Sequence, residues 1–144
     1  MIRIICIGQI KEKFYTDAIN EYLKRLSKYT KVEIKELEDS DIKKEKDLIL
    51  KNINPKDYII SLAIEGKKYD SINLSKKIDK VLITNPTITF IIGGSNGLDD
   101  EVKQKSNELL SFSDLTFPHQ LFRVILLEQI YRSFKIINNE TYHK

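Results

Sequence analysis

The chain is poor in the residues that staple, break or anchor other folds. Its one cysteine among 144 residues, Cys6, excludes an intramolecular disulfide and any cysteine-built metal finger. That usage fits a reducing, cytoplasmic compartment. Tryptophan is absent. Five glycines and three prolines are too few for a collagenous segment, a Gly/Ser linker or a proline-rich stretch. The apolar start MIRIICIG stops at Gly8 before charged residues. It is far short of the roughly 20 residues a bilayer crossing needs, and it has no cleavage pattern of a signal peptide. Two histidines and one cysteine, far apart, offer no metal-ligand spacing, so no metal is expected. An excess of one charge is also missing: 24 Lys and Arg against 21 Asp and Glu leave +3. That balance does not demand nucleic acid, yet permits it if the charge is gathered on one face.

What is present is alternation. Met1 to Ile7 is nearly all β-branched and reads as a buried strand. Phe14, Ala18, Tyr22 and Leu26 then recur at helical spacing, flanked by Tyr15, Ile19 and Leu23. Lys31 to Glu38 alternates apolar and charged residues, as a half-exposed strand near a sheet edge would. A helix is expected in the charged stretch Asp39–Ile53, stopped before Pro55. Tyr58 to Ile64 reads as a strand. Leu74, Ile78, Val81 and Leu82 mark a helix ending near Pro86, and Thr87 to Ile92 is a strand again. Leu98, Val102 and Leu109 suggest a further helix, Ser113–Phe117 a short strand or loop, and His119–Ile137 the longest helix. The expected fold is α/β over residues 1–144 as one domain: a mostly parallel sheet with helices on both faces.

Three turns carry the chemistry. GGSNG, residues 93–97, lies between a strand and a helix, where phosphates are often cradled. Its glycine spacing fails the G-x-G-x-x-G dinucleotide pattern, and no P-loop lysine follows. The next helix starts Asp99-Asp100-Glu101, which suits the helix dipole but repels a phosphate. A tight turn with no ligand is one reading. The other comes from SLAIEGK at the end of the preceding strand and SFSDLTFPH before the last helix. In a parallel sheet these loops meet at one edge. Main-chain amides and carbonyls, with walls from Leu62, Leu115 and Phe117, then suit a flat heteroaromatic ring.

GGSNGL, LSFSDLTFPHQLFRVILLEQIYRSFKI and the terminal TYHK resemble the ribosomal RNA large-subunit methyltransferase H (RlmH) family of the SPOUT class, over essentially the whole chain. The resemblance implies a SPOUT-type domain with a C-terminal trefoil knot. It implies a homodimer that acts on the assembled ribosome and transfers methyl from S-adenosylmethionine to N3 of a pseudouridine in 23S ribosomal RNA. By position it makes Leu62, Gly93, Gly94 and the run Phe112, Ser113, Asp114, Leu115, Thr116, Phe117 cofactor contacts. Where the family is expected to carry an acid after Leu62, this chain has Ala63, with Glu65 as the nearest substitute. His143 is the catalytic candidate, and Arg123, Arg132, Tyr142, His143 and Lys144 are candidates for RNA contact. His119 reads better as a helix-start residue after Pro118 than as a catalyst, and Cys6 as an inert buried thiol. The last helix is apolar around most of its circumference, which suggests a two-fold interface. Two rivals remain. One is a small nucleotide-binding dehydrogenase, against which the glycine spacing counts. The other is a non-catalytic ribosome-associated module that keeps the fold.

Overall fold

In the computed structural model, which describes residues 1–144, five parallel strands form one sheet in the order β2-β1-β4-β3-β5. The strands are β1 (Ile2–Ile7), β2 (Val32–Leu37), β3 (Tyr58–Lys68), β4 (Ile88–Ile92) and β5 (Glu108–Ser111). The helices are α1 (Lys13–Leu26), α2 (Ile42–Asn52), α3 (Ser71–Thr84), α4 (Asp100–Lys105) and α5 (His119–Ile137). The central strand β4 is buried along its whole length, as its ITFII sequence requires. The edge strand β2 leaves Glu33, Lys35 and Glu36 exposed, which is why its sequence alternates.

Because side chains alternate along a strand, the sheet makes two cores. Ile2, Ile4, Cys6, Ile60, Phe90 and Ile92 face α1, α3 and α5. Ile5, Ile7, Ile59 and Ile91 face α2 and α4 through Ile49, Leu98 and Val102. Helices therefore cover both faces. Aspartates start three of them: Asp41 accepts from the Lys44 amide at 2.9 Å, Asp70 from Asn73 at 2.7 Å, and Asp99 from Glu101 at 2.9 Å. No helix is long and apolar enough to cross a membrane.

Two sequence expectations fail locally, at Leu109 and at Phe14. Leu109 lies in β5, not in a helix: α4 spans only six residues, and Ser106 ends it in extended backbone. The segment 113–117, left open between strand and loop, is a loop. Phe14, placed on the apolar stripe of α1, is 66% exposed; Ile19 and Leu26 are the buried residues of that helix. β3 also runs further than its apolar stretch. Its ladder with β5 breaks between Leu62 and Lys67 and then resumes. Gly66 lets the returning strand close on β5: a Cβ there would lie 2.6 Å from the Leu109 carbonyl carbon. The break swings Ala63 to Glu65 out of the ladder at the sheet's C-terminal edge.

Candidate active site

The C-terminal ends of β3, β4 and β5 bring the three turns together in one cleft. β3 contributes Leu62, Ala63 and Ile64; β4 contributes Ile92, Gly93 and Gly94; β5 and its loop contribute Leu110 to Ser113 and Leu115 to Phe117. Gly97, Leu98, His119 and Phe122 complete the lining. Eight of the nine residues expected at a cofactor therefore line one cavity. Asp114 does not; its carboxylate turns outward to Lys68 at 2.6 Å.

The loop after β5 is held from within and from below. Ser113 Oγ accepts from the Leu115 amide at 3.0 Å, and Ser111 Oγ donates to the Ser113 carbonyl at 3.2 Å. Phe122 of α5 packs against Phe112 and Phe117, with ring centroids 4.9 and 6.0 Å away. The first turn of α5 thus fixes the loop by aromatic contact.

The glycines of the second turn serve the turn itself. A Cβ on Gly93 would lie 2.7 Å from the Gly97 carbonyl oxygen, and one on Gly94 would lie 3.0 Å from Ile7 Cγ2. Only Gly97 has the left-handed backbone, at φ 74°. The Gly97 amide closes the turn on the Gly94 carbonyl at 3.0 Å. The segment is a tight turn, and Gly93, Gly94 and Gly97 also line the cleft.

The lining has one titratable side chain, His119, and no carboxylate. Sequence reasoning treated His119 as a helix-start residue, which it is: α5 begins there, after Pro118. Its place on the cleft wall was not legible from that position alone. Glu65 does not replace the missing acid at position 63. It pairs with Lys103 of α4 at 2.6 Å, and that hydrogen bond holds its carboxyl below the usual range.

The RNA-contact candidates divide. Arg123, a candidate for RNA contact, is 2% exposed. Its guanidinium pairs with Glu36 of β2 and donates to the Gly8 carbonyl at 3.2 Å, so it ties α5 to the end of β1 and is not available to a phosphate. Arg132, Tyr142 and His143 do come together. Arg132 grips Glu128 through Nε at 2.9 Å and Nη2 at 2.6 Å, and its guanidinium sits 4.8 Å over the Tyr142 ring. Tyr142 packs edge-on against Tyr131 and donates to Glu128 at 3.2 Å. Burial, with the nearby Glu128 charge next, pushes its phenol up to about 12. The tail is therefore seated on α5. Lys144 remains exposed at its end.

His143 Nδ1 lies 3.0 Å from Arg132 Nη1. A guanidinium only donates, so in this contact Nδ1 is the acceptor. His143 is outside the first cleft. It lines an adjoining groove with Tyr69, Ser71, Ile125 and Gln129, and this groove shares Leu110, Ser111 and Phe112 with the cleft. Cys6 is buried, and burial pushes its thiol up to about 11, so it has no nucleophilic role.

Comparison with known proteins gives one consistent picture. The family described as Predicted SPOUT methyltransferase matches residues 1–143. The chain is 44% identical to the Ribosomal RNA large subunit methyltransferase H of Caldicellulosiruptor saccharolyticus, with all of both chains covered. It is 48% identical to that of Streptococcus uberis, with 99% of each covered. Among solved structures, the tRNA (m1G37) methyltransferase of Aquifex aeolicus superposes with a TM-score of 0.55 at 17% identity, covering 91% of this chain and 69% of that one. The SpoU methyltransferase AviRb of Streptomyces viridochromogenes gives 0.51 at 9%, covering 98% and 62%. At such identities these two show the shared fold.

Proposed function

The chain belongs to the ribosomal RNA large subunit methyltransferase H family of SPOUT methyltransferases, and from that premise we propose that it methylates N3 of a pseudouridine in 23S ribosomal RNA of the assembled ribosome, with S-adenosylmethionine as donor. The observation that carries the reading is the cleft: three loop ends on one sheet edge, apolar walls, main-chain polar groups, and no carboxylate on the lining.

The residues present fit this donor. It carries an adenine, an ammonium, a carboxylate and a sulfonium but no phosphate, so the acidic start of α4 does not oppose it as it would a pyrophosphate. Leu62, Gly93 and the run Phe112–Phe117 would hold it, largely through main chain, with Asp114 excepted. When bound, the donor supplies a methyl group on a positively charged sulfur that leaves as a neutral thioether. Such a displacement asks the protein mainly to align two reactants and to keep water out. Leu98, Phe117 and Phe122 supply the dry wall. The groove beside the cleft offers the nucleotide an entry, with His143 and Gln129 on its wall. With Nδ1 accepting from Arg132, the nitrogen of His143 left to donate is Nε2. It can steady a base carbonyl oxygen, whereas a role as general base requires Arg132 to release Nδ1.

The trefoil knot belongs to the same proposal. β5 lies outside β3, while the following loop returns beside the Gly93 turn, an arrangement compatible with threading there. So does the homodimer. The stripe Leu126, Leu127, Ile130 and Phe134 is buried within the protomer and Val124 packs against the same core, which leaves Leu121 and Ile125, only half-buried, for a partner. The test is transfer of labelled methyl to ribosomes, isolated large subunits and naked RNA. Label on N3 of one 23S pseudouridine, with ribosomes as the best substrate, is the expected result. Donor binding without transfer to any of the three would favour the non-catalytic module.

A further inference from the structure

Beyond the groove that holds His143 lies a second depression, open to solvent, between the end of β3 and the exposed side of α3. Lys67, Lys68, Lys76, Lys77 and Lys80 line it, with Asp70 as the one acid on its wall. That is a local charge of +4 in a chain whose total is +3. Counting also Asp114 and Glu108, which pair with two of these lysines, the face still holds +2 of the chain's +3.

The lysines are not equivalent. Lys68 is paired with Asp114 at 2.6 Å and Lys77 with Glu108 at 3.3 Å. Lys67, Lys76 and Lys80 have no carboxylate partner within ion-pair distance. Lys67 Nζ sits 4.7 Å over the ring of Tyr69, which props the charge at the groove mouth. Lys76 and Lys80 are four apart on α3, so they stand on one helix face. Apart from Tyr69 the wall has no apolar side chain, so it lacks the dry centre of a protein interface. Spaced ammonium groups on flexible stems suit phosphates met in a row, which position a nucleic acid without reading its sequence.

The depression is also in the right place. It shares Tyr69 and Asp70 with the His143 groove, and that groove shares Leu110, Ser111 and Phe112 with the donor cleft. Each depression therefore borders the next. We propose that the lysine depression holds the sugar–phosphate backbone of the RNA strand flanking the nucleotide that enters the cleft. This rests on the ribosomal RNA methyltransferase reading and assigns that reading its phosphate-binding surface.

The test replaces Lys67, Lys76 and Lys80 together by Glu. A control replaces Lys31, Lys43 and Lys51, three exposed lysines elsewhere on the molecule, by Glu, with the same change in net charge. Calorimetry with S-adenosylmethionine establishes that each variant folds; should the triple Glu variant fail, the triple Gln variant takes its place. Binding to ribosomes lacking the methyl group is then followed against salt. The depression variant is expected to bind at least about 10-fold more weakly and to lose about 2 units of log–log salt slope, while donor affinity is unchanged. Its methyl transfer should show raised KM for ribosomes at near-normal kcat. Equal weakening in the control, or an unchanged KM and slope in the depression variant, overturns the inference while leaving wild-type methylation intact. Absence of methylation by the wild type overturns the underlying reading instead.

Discussion

The two ends of the sheet treat buried polar groups in opposite ways. At the N-terminal edge, Asp57 is 6% exposed and engaged through Oδ2, to which Arg3 Nη1 donates at 2.8 Å and Thr89 Oγ1 at 2.9 Å. The chain's own amino group donates nearby to the Pro86 carbonyl at 2.9 Å. At the C-terminal edge, two buried polar atoms have no partner, Glu45 Oε1 and Arg123 Nε. Glu45 Oε1 backs the glycine turn, 3.6 Å from where a Gly94 Cβ would sit, and Arg123 reaches the Gly8 carbonyl at the end of β1. One edge is satisfied and serves stability. The other keeps incompletely satisfied groups behind the cleft, where the proposed chemistry takes place.

Breaking the satisfied edge should have the largest effect. Asp57→Ala strands Thr89 Oγ1 and removes the nearest counter-charge of Arg3, and should cost about 3 kcal/mol in denaturant unfolding. Donor affinity of the protein that remains folded should not change, because the cleft lies at the opposite edge. A loss of donor affinity with unchanged stability would show that the edges are not separate.

Next in size is the cleft edge. Gly93→Ala places a methyl against the Gly97 carbonyl, a backbone group that can move only if the turn opens. Donor affinity measured by calorimetry should fall by about 10-fold or more, with a smaller loss in thermal stability. Wild-type affinity would mean that the turn is not part of the donor site.

The smallest effect should sharpen the contrast by its sign. Burial, reinforced by Asp39 and Asp41, pushes the Glu45 carboxyl above its usual range, while the Ser40 amide partly opposes the shift. A carboxyl raised in the folded state takes up its proton before the unfolded chain does. Its ionisation therefore costs stability as pH rises from the ordinary carboxyl range through the raised value, and that cost is fully present above it. Glu45→Gln removes the charge and keeps an acceptor for Ser40. It should stabilise the protein by about 1 kcal/mol at neutral pH. The gain should shrink as melts are taken toward pH 4.5, the ordinary value. Destabilisation at neutral pH would mean that the ionised carboxylate has a partner there.

The same contrast explains what could be read before folding. α5 was legible to its boundaries, since Pro118 starts it and the apolar spacing persists to Ile137. The central strands were legible because they are uninterrupted β-branched runs. Leu109 was misread because its distance from Leu98 and Val102 suits a helix as well as a strand; Ser106 and the pairing with β3 decide otherwise. That the three turns meet, with Leu62, Leu115 and Phe117 as walls, follows from strand ends sharing one edge, whereas Gly93, Gly94, Phe112, Ser113 and Thr116 are named as cofactor contacts from the family resemblance. The pairings of Asp114 and Arg123 follow from neither, because their partners, Lys68 and Glu36, lie 46 and 87 residues away in sequence and only the tertiary fold brings them near. Glu45 gave no signal at all, being one acid in a charged helix.

The central claim is that one cleft, built where three strands end, holds the methyl donor. A crystal structure of the protein with S-adenosylmethionine tests it most directly. The account predicts the adenosine between Leu62, Gly93 and the Phe112–Phe117 loop, with the methyl group toward the His143 groove. A donor bound elsewhere, or one whose methyl faces away from that groove, would contradict it.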